Sequence, residues 1–168
     1  MATDPPVSVE VTQDELRDLI RAMRAEADGK ELRKELAKSL RDDLKPHADR
    51  ARNGALSIPD GGSATSPKLR PAIARSIQPR VNLTMRGAGA SIRARRTPRV
   101  RDFANAPKRT NSRKGWRTQS WGNGQWRNQV GKIGWFDDAM QNVGPDAKAT
   151  IRRIVDEMAQ RIAQRTGG

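Results

Sequence analysis

The sequence of 168 residues contains no cysteine, no tyrosine and a single histidine, His47. The absence of cysteine excludes disulfides, zinc–thiolate sites, iron–sulfur clusters and thiol nucleophiles. One histidine leaves little room for histidine-based metal or acid–base chemistry. No apolar run exceeds three residues, and the start of the chain has no basic segment followed by an apolar one. We therefore expect a soluble protein with no membrane span and no signal peptide.

The sequence also lacks the motifs that catalysis and cofactor binding require. Asp137 and Asp138 are adjacent, so on a helix their side chains point about 100° apart and form no paired acid–base site. Gly87 and Gly89 lack the third glycine of a dinucleotide fingerprint, and no phosphate-binding loop or serine nucleophile elbow occurs. We therefore expect a protein that is not an enzyme and that binds neither a cofactor nor a metal ion.

Positive charge is what the sequence has in excess, and it is concentrated in the middle of the chain. The formal net charge is +14. Residues 1–60 carry 11 Lys/Arg against 13 Asp/Glu, residues 61–132 carry 17 against one, and residues 133–168 carry five of each. An electrostatic field with this asymmetry favours binding to a polyanion or to an acidic face of another protein. A merely solubilising surface is the alternative, although dispersed charge serves solubility better. The charge pattern favours a binding protein.

The N-terminal third of the sequence predicts two helices. Residues 1–11 form an extended arm or a short strand, and residues 12–56 form the helix pair. In the second helix, leucine recurs at every fourth position from Leu32 to Leu44, and Pro46 should then kink the helix or end its first half. Residues 57–68 are rich in glycine, serine and proline, which predicts a flexible loop.

The basic middle of the chain, residues 69–133, predicts a β region. A short helix over 69–77 precedes a hairpin whose strands alternate over 81–86 and 90–96. Residues 97–114 contain one large apolar side chain and are predicted to be a long basic arm that is ordered only in a complex. Two short strands joined by a glycine turn follow within 116–133.

The C-terminal region, residues 134–168, predicts one helical turn over 134–140 and a long helix over 146–165. Three apolar stripes, one on each long helix, need a partner surface. We therefore predict a single α+β domain, in which the N-terminal helix pair and the long C-terminal helix pack on one face of a small antiparallel β-sheet. That sheet would combine the 81–96 hairpin with the 116–133 strands.

The cations of the middle segment are the predicted contacts to DNA or to an acidic partner. Nothing around them resembles a base-reading helix or a zinc finger, so sequence-specific readout is not indicated. Contact with phosphate backbones and docking on an acidic protein ring both remain open. The candidate residues are Arg86, Arg93, Arg95, Arg96, Arg99, Arg101, Lys108, Arg109, Arg113 and Lys114.

The tryptophans of this small chain have two interpretations. They could stack on unpaired bases among the neighbouring cations, or they could anchor the core and the contacts between subunits. The second interpretation is favoured because the chain has few other bulky residues and no RNA-binding motif accompanies them. The predicted anchors are Trp116, Trp121, Trp126, Trp135 and Phe136.

Three stretches of the sequence resemble the small tail-component, or tail-completion, proteins of long-tailed bacteriophages. The first is Val9-Glu10-Val11-Thr12-Gln13-Asp14-Glu15-Leu16 together with Gly29-Lys30-Glu31-Leu32-Arg33-Lys34-Glu35-Leu36, which is similar to the paired N-terminal helices of that family. The second is the Leu69–Ile77 segment before a basic hairpin. The third is Gly115-Trp116-Arg117, Trp121-Gly122-Asn123 and Gly134-Trp135-Phe136 ahead of a long helix. The Arg-rich stretch 97–114 departs from the family, in which a short turn and an aromatic residue are expected.

The resemblance implies a structural protein of the virion neck, made in the host cytoplasm. Such a subunit forms a homo-oligomeric ring around the DNA channel, with six-fold symmetry favoured over twelve-fold. Its partners would be the neighbouring head-closure and tail-terminator or tail-tube proteins, with backbone contact to packaged DNA. The alternative is a non-sequence-specific nucleic-acid-binding protein; a basic enzyme or toxin ranks far behind both.

Overall fold

A computed structural model of the chain describes residues 7–11, 14–59, 69–100, 103–119, 122–141 and 143–166. Helices and strands together give an α+β fold, which confirms the predicted class. None of the helices in these ranges is long and apolar enough to cross a membrane. The elements are, in chain order, β1 (Val7–Val11), α1 (Asp14–Ala25), α2 (Gly29–Leu56), α3 (Leu69–Ser76), β2 (Ile77–Asn82), β3 (Gly89–Ala94), α4 (Ala106–Asn111), β4 (Trp116–Gln119), β5 (Trp126–Gln129), α5 (Trp135–Met140) and α6 (Val143–Thr166).

The strands form two separate sheets, so the prediction of one combined sheet is wrong. The first sheet has the order β1-β3-β2, and the second consists of β4 and β5 alone. The N-terminal segment, predicted as an arm or a short strand, therefore supplies β1 as the third strand of the first sheet. β2 begins at Ile77, earlier than predicted, because Ile77 is a buried strand residue and not the last residue of the preceding helix. β4 and β5 pair over their full length of four residues each, which forms a hairpin of their own.

The contacts divide the chain into two compact units. The helical unit comprises described residues of Val9–His47, Pro79–Ile92 and Asn142–Gly168. Its core consists of the apolar stripes predicted on the three long helices, which confirms their burial, and α1 packs against α6. The buried residues of these stripes are Leu16, Leu19, Ile20, Met23, Leu32, Leu36, Leu40, Leu44, Ile151, Ile154, Val155, Met158 and Ile162.

An ion pair links α6 to α2 inside the helical unit. The guanidinium of Arg161 donates two hydrogen bonds to the Glu35 carboxylate, at 2.6 and 3.0 Å. This hydrogen bonding from Arg161 lowers the pKa of Glu35 below its ordinary value, against the opposing effect of partial desolvation. A second pair joins Arg165 to Asp28, in the turn before α2. These two exposed pairs connect the C-terminal half of α6 to α2 and to the turn before it.

Pro46 does not end α2, which runs on to Leu56. A proline ring removes one backbone donor and crowds the carbonyl four residues earlier, here that of Asp42. Apolar side chains are nevertheless buried on both sides of it, at Leu44 and Ala48, and further along the helix at Ala51. Burial along one helix face therefore outweighs the loss of one hydrogen bond, as tertiary packing commonly overrides local propensity.

The basic unit comprises described residues of Met1–Ser8, Ala48–Gln78 and Arg93–Gln141. Its core contains the largest fully buried side chains of the described residues, Trp135 and Phe136 of α5, together with Ile73 of α3. The segment 97–114 was predicted to be an arm without structure of its own, but its described residues include α4. That prediction is wrong for the residues of α4, because Ala106, Pro107 and Thr110 are buried and Thr110 and Asn111 are hydrogen-bonded to α5.

Candidate functional site

The two units differ sharply in charge. The described residues of the basic unit include fifteen lysines and arginines but three acids, Asp49, Asp137 and Asp138. Those of the helical unit include sixteen lysines and arginines against thirteen acids. The excess positive charge, which the sequence placed in the middle third, is therefore gathered in one folded unit. A unit of this kind attracts polyanions from a distance.

Most of the predicted contact cations lie on the surface of the basic unit. Seven have exposed side chains: Arg95, Arg96, Arg99, Lys108, Arg109, Arg113 and Lys114. Arg93 is half-buried in β3. Arg86 is exposed but belongs to the helical unit, and Arg101 lies outside the described residues. The structure thus places eight of the ten candidates in one unit and assigns Arg86 to the other.

Among the described acids of the basic unit, Asp49 and Asp137 have side-chain partners. Asp49 pairs with Arg52 one turn along α2. Asp137 accepts a hydrogen bond from the Asn111 amide at 2.8 Å, and Asp138 lies with it in the first turn of α5, where a carboxylate is favoured. Over the described parts of the chain, none of the seven exposed cations has an acidic partner. Their charge is therefore available to another molecule.

Backbone hydrogen bonds fix the segment that carries the arginines at 95 and 96. The Arg95 N–H donates to the Ser76 carbonyl at 3.0 Å, at the end of α3. The Thr97 N–H donates to the Ala104 carbonyl at 2.7 Å, and the Thr97 hydroxyl donates to the Phe103 carbonyl at 3.0 Å. The two arginines therefore project from an anchored backbone, which lowers the entropy lost when they bind a ligand.

α4, with the basic residues Lys108 and Arg109 on its surface, is attached to α5 by two side chains. The Trp135 indole N–H donates to the Thr110 hydroxyl oxygen at 3.1 Å. Asn111 makes the second attachment: its side-chain oxygen accepts from the Phe136 N–H at 2.8 Å, and its backbone carbonyl accepts from the Gly134 N–H at 2.9 Å. Asn111 thereby caps the N-terminus of α5 from another element, which satisfies a backbone donor that the helix leaves open.

The predicted aromatic anchors occupy different environments. Trp135 and Phe136 are core residues, with 1% and 0% of their surfaces exposed. Trp116 is half-buried, with its ring centroid 5.0 Å from that of Phe103. Trp126 is 58% exposed, and Trp121 lies outside the described residues. The described aromatic anchors therefore comprise two core residues, one half-buried indole at Trp116 and one exposed indole at Trp126.

Several contributing residues were missed by the sequence reasoning. Thr110 and Asn111 position α4, yet they are uncharged polar residues inside a basic stretch and give no periodic signal. Arg52 was not singled out from the sequence, although its Nη2 donates to the Ile77 carbonyl at 2.8 Å and serves the fold. Val130 and Ile133 are exposed apolar residues near β5, which no pattern in the sequence predicted.

The exposed arginines and lysines of the basic unit present many separate positive charges. Within the described ranges, no cluster of three or more histidine, aspartate or glutamate side chains is placed to hold a metal ion. Arginine and lysine side chains without acidic partners can bind phosphates or carboxylates without reading a sequence. Comparison with protein-family models, with curated proteins and with solved structures finds no match for this chain.

Proposed function

We propose that this chain is a structural subunit of the neck of a long-tailed bacteriophage, where it forms a ring between the head-closure and tail proteins. The basic unit would face the DNA channel or an acidic neighbouring ring. The subunit would act without catalysis, cofactor or metal, and the virion would be its place of action. The resemblance of the three sequence stretches supports the neck assignment, and the charge of the basic unit supports the polyanion-facing role.

The observation that carries the proposal is the imbalance of fifteen cations against three acids among the described residues of one folded unit. Each cation that neutralises a phosphate releases a counterion, so the attraction is sequence-independent and falls with salt. DNA in a neck must be retained and must later slide through. Many weak contacts that ignore sequence meet both requirements better than a few strong, specific ones.

Assembly state tests the proposal. The purified chain is examined by sedimentation and by electron microscopy, alone and together with the head-closure and tail proteins of the same phage. A closed ring, or a stable complex with those proteins, is the expected result. A chain that stays monomeric with all of them and binds free DNA in a salt-dependent manner would instead establish the alternative, a non-sequence-specific nucleic-acid-binding protein.

A further inference from the structure

The β4–β5 hairpin places four polar or aromatic side chains on one face. Trp126 pairs with Gln119, and Asn128 pairs with Arg117. Because side chains alternate along a strand and paired residues share a face, these four lie together on one side of the sheet. Trp116 and Thr118 lie on the other side, with Arg127 and Gln129.

The face that carries Trp126 points to solvent. Along β4, Trp116 and Thr118 are half-buried, whereas Arg117 and Gln119 are exposed. The ring of Trp116 packs against Phe103, which marks the inner side of the hairpin. We call the opposite side, formed by Arg117, Gln119, Trp126 and Asn128, the outer hairpin face.

Trp126 is held on this face as an exposed flat surface. Its side chain has the largest exposed fraction of any bulky apolar residue in the described ranges, 58%. The guanidinium carbon of Arg117 lies 5.8 Å from the centroid of the indole, a cation–π contact that restrains the ring. An aromatic ring beside an arginine and two amides has the composition of a stacking platform for nucleobases. Tryptophan and arginine are also enriched in protein interfaces, so a loss of subunit contacts in a Trp126 variant is the competing outcome.

The charge around the outer hairpin face suits phosphates. Arg113 and Lys114 are exposed immediately before β4, and Arg117 is exposed on the outer hairpin face itself. Residues 103–136 contain no aspartate or glutamate at all. A nucleic-acid strand laid along β4 would therefore meet Arg117 beside the indole and two further cations before the strand, in a stretch of sequence without acidic residues.

We propose that the outer hairpin face binds single-stranded nucleic acid, with an unpaired base stacked on Trp126 and its phosphates on Arg113, Lys114 and Arg117. Stacking on an indole requires a base that is free of its partner strand, so this site distinguishes single strands from duplex. The proposal goes beyond the neck function and does not rest on it, because sequence-blind contact with duplex DNA needs no aromatic platform. Every base has a π-face, so no base preference is expected.

Fluorescence anisotropy with a short labelled oligothymidylate and with a matched duplex tests the site in the full chain. Trp126→Ala should weaken binding to the single strand about tenfold, the effect of losing one stacked base. The same variant should leave duplex affinity unchanged, and it should leave the salt dependence of single-strand and duplex binding unchanged. Trp126→Phe keeps a stacking ring and should restore most of the affinity. Leu56→Ala removes another exposed apolar side chain of the same unit, 46% exposed, and should change nothing.

Three results would overturn the proposal. The first is an unmodified chain that fails to bind the single strand, and the second is an equal loss for single strand and duplex in Trp126→Ala. The third is a shift of the sedimenting species to monomer in Trp126→Ala, which would make Trp126 an anchor between subunits. If Trp126→Ala has no effect on single-strand binding but the unmodified chain forms a ring, the neck proposal stands and this inference fails. If the chain is monomeric but binds single strands through Trp126, this inference stands and the neck proposal fails.

Discussion

The indole N–H of Trp135 donates a hydrogen bond to the Thr110 hydroxyl at 3.1 Å, and 1% and 0% of the two residues are exposed. The same hydroxyl donates to the Ala106 carbonyl at 2.8 Å, so it is used as donor and acceptor at once. Gly131 lies against this pair, because a Cβ there would be 2.6 Å from the Thr110 carbonyl oxygen. α4 and its basic surface are therefore fixed to the core of the basic unit at one buried hydroxyl.

Thr110→Val should destabilise the chain because it leaves the Trp135 N–H without an acceptor. A buried donor that loses its partner costs about 1–3 kcal/mol. Thr110→Ser retains the hydroxyl and serves as the control, with a smaller loss due to the missing methyl group. Urea unfolding followed by circular dichroism measures both variants. Equal midpoints for Thr110→Val and the unmodified chain would show that the hydrogen bond contributes nothing.

Trp135→Ala and Trp126→Ala make the same chemical change in opposite environments. Trp135 is in the core, so its truncation should cost about 3–5 kcal/mol of unfolding free energy. Trp126 is exposed, so its truncation should stay within about 0.5 kcal/mol. Each variant is measured by urea unfolding at the same pH and salt. A similar loss in both would contradict the distinction between a core residue and a surface indole.

The parts of this fold that the sequence predicted are those with strong local patterns. Apolar helical stripes such as Leu16 to Met23 and Ile151 to Ile162 must be buried whichever element they pack against. Their period was therefore sufficient to predict both the helix and its buried face. The glycine turn at 122–124 likewise requires positive φ, which Gly122 and Gly124 adopt at 90° and 65°. Such signals are contained within a few residues.

The parts that could not be predicted depend on residues far apart in the chain. α4 forms inside a basic stretch because Thr110 and Asn111 bind residues about 25 positions later, in and next to α5. β1 joins β3 across most of the helical region, and no hydrophobic pattern specifies which sheet a strand enters. The charge of the candidate surface was visible in the sequence, whereas the exposure of Trp126 needed the register of β4 against β5.

The pKa of Glu35 should lie below the ordinary value of 4.5 because Arg161 donates hydrogen bonds to the carboxylate. A folded-state pKa that is lowered contributes stability above the unfolded value, and this contribution is lost as the pH falls through the folded value. The side chains of Arg161 and Glu35 are 45% and 48% exposed, so screening by solvent and salt keeps the effect of this ion pair on stability small.

Carbon-detected NMR titration of Glu35 checks this shift directly. Arg161→Gln should raise the pKa of Glu35 towards 4.5. Arg153→Gln is the matched control, since Arg153 pairs with Glu157 on the same helix and should leave Glu35 unmoved. An unshifted Glu35 in the unmodified chain, or equal effects of the two substitutions, would contradict the assigned cause.

Arg95 and Arg96 test whether local charge or total charge governs binding to polyanions. Both side chains are exposed on an anchored backbone, so Arg95→Glu with Arg96→Glu should change unfolding free energy by less than about 0.5 kcal/mol each. Duplex DNA affinity should fall, and the slope of log affinity against log salt should become shallower by about 0.9 for each lost phosphate contact. Arg24→Glu with Lys30→Glu lowers the net charge equally, by four, but in the helical unit. If both double variants lose the same affinity and slope, long-range attraction to the whole chain explains binding, and the basic unit has no special role. If only the Arg95→Glu, Arg96→Glu variant loses affinity and has a shallower salt slope, the surface around Arg95 contacts the phosphates.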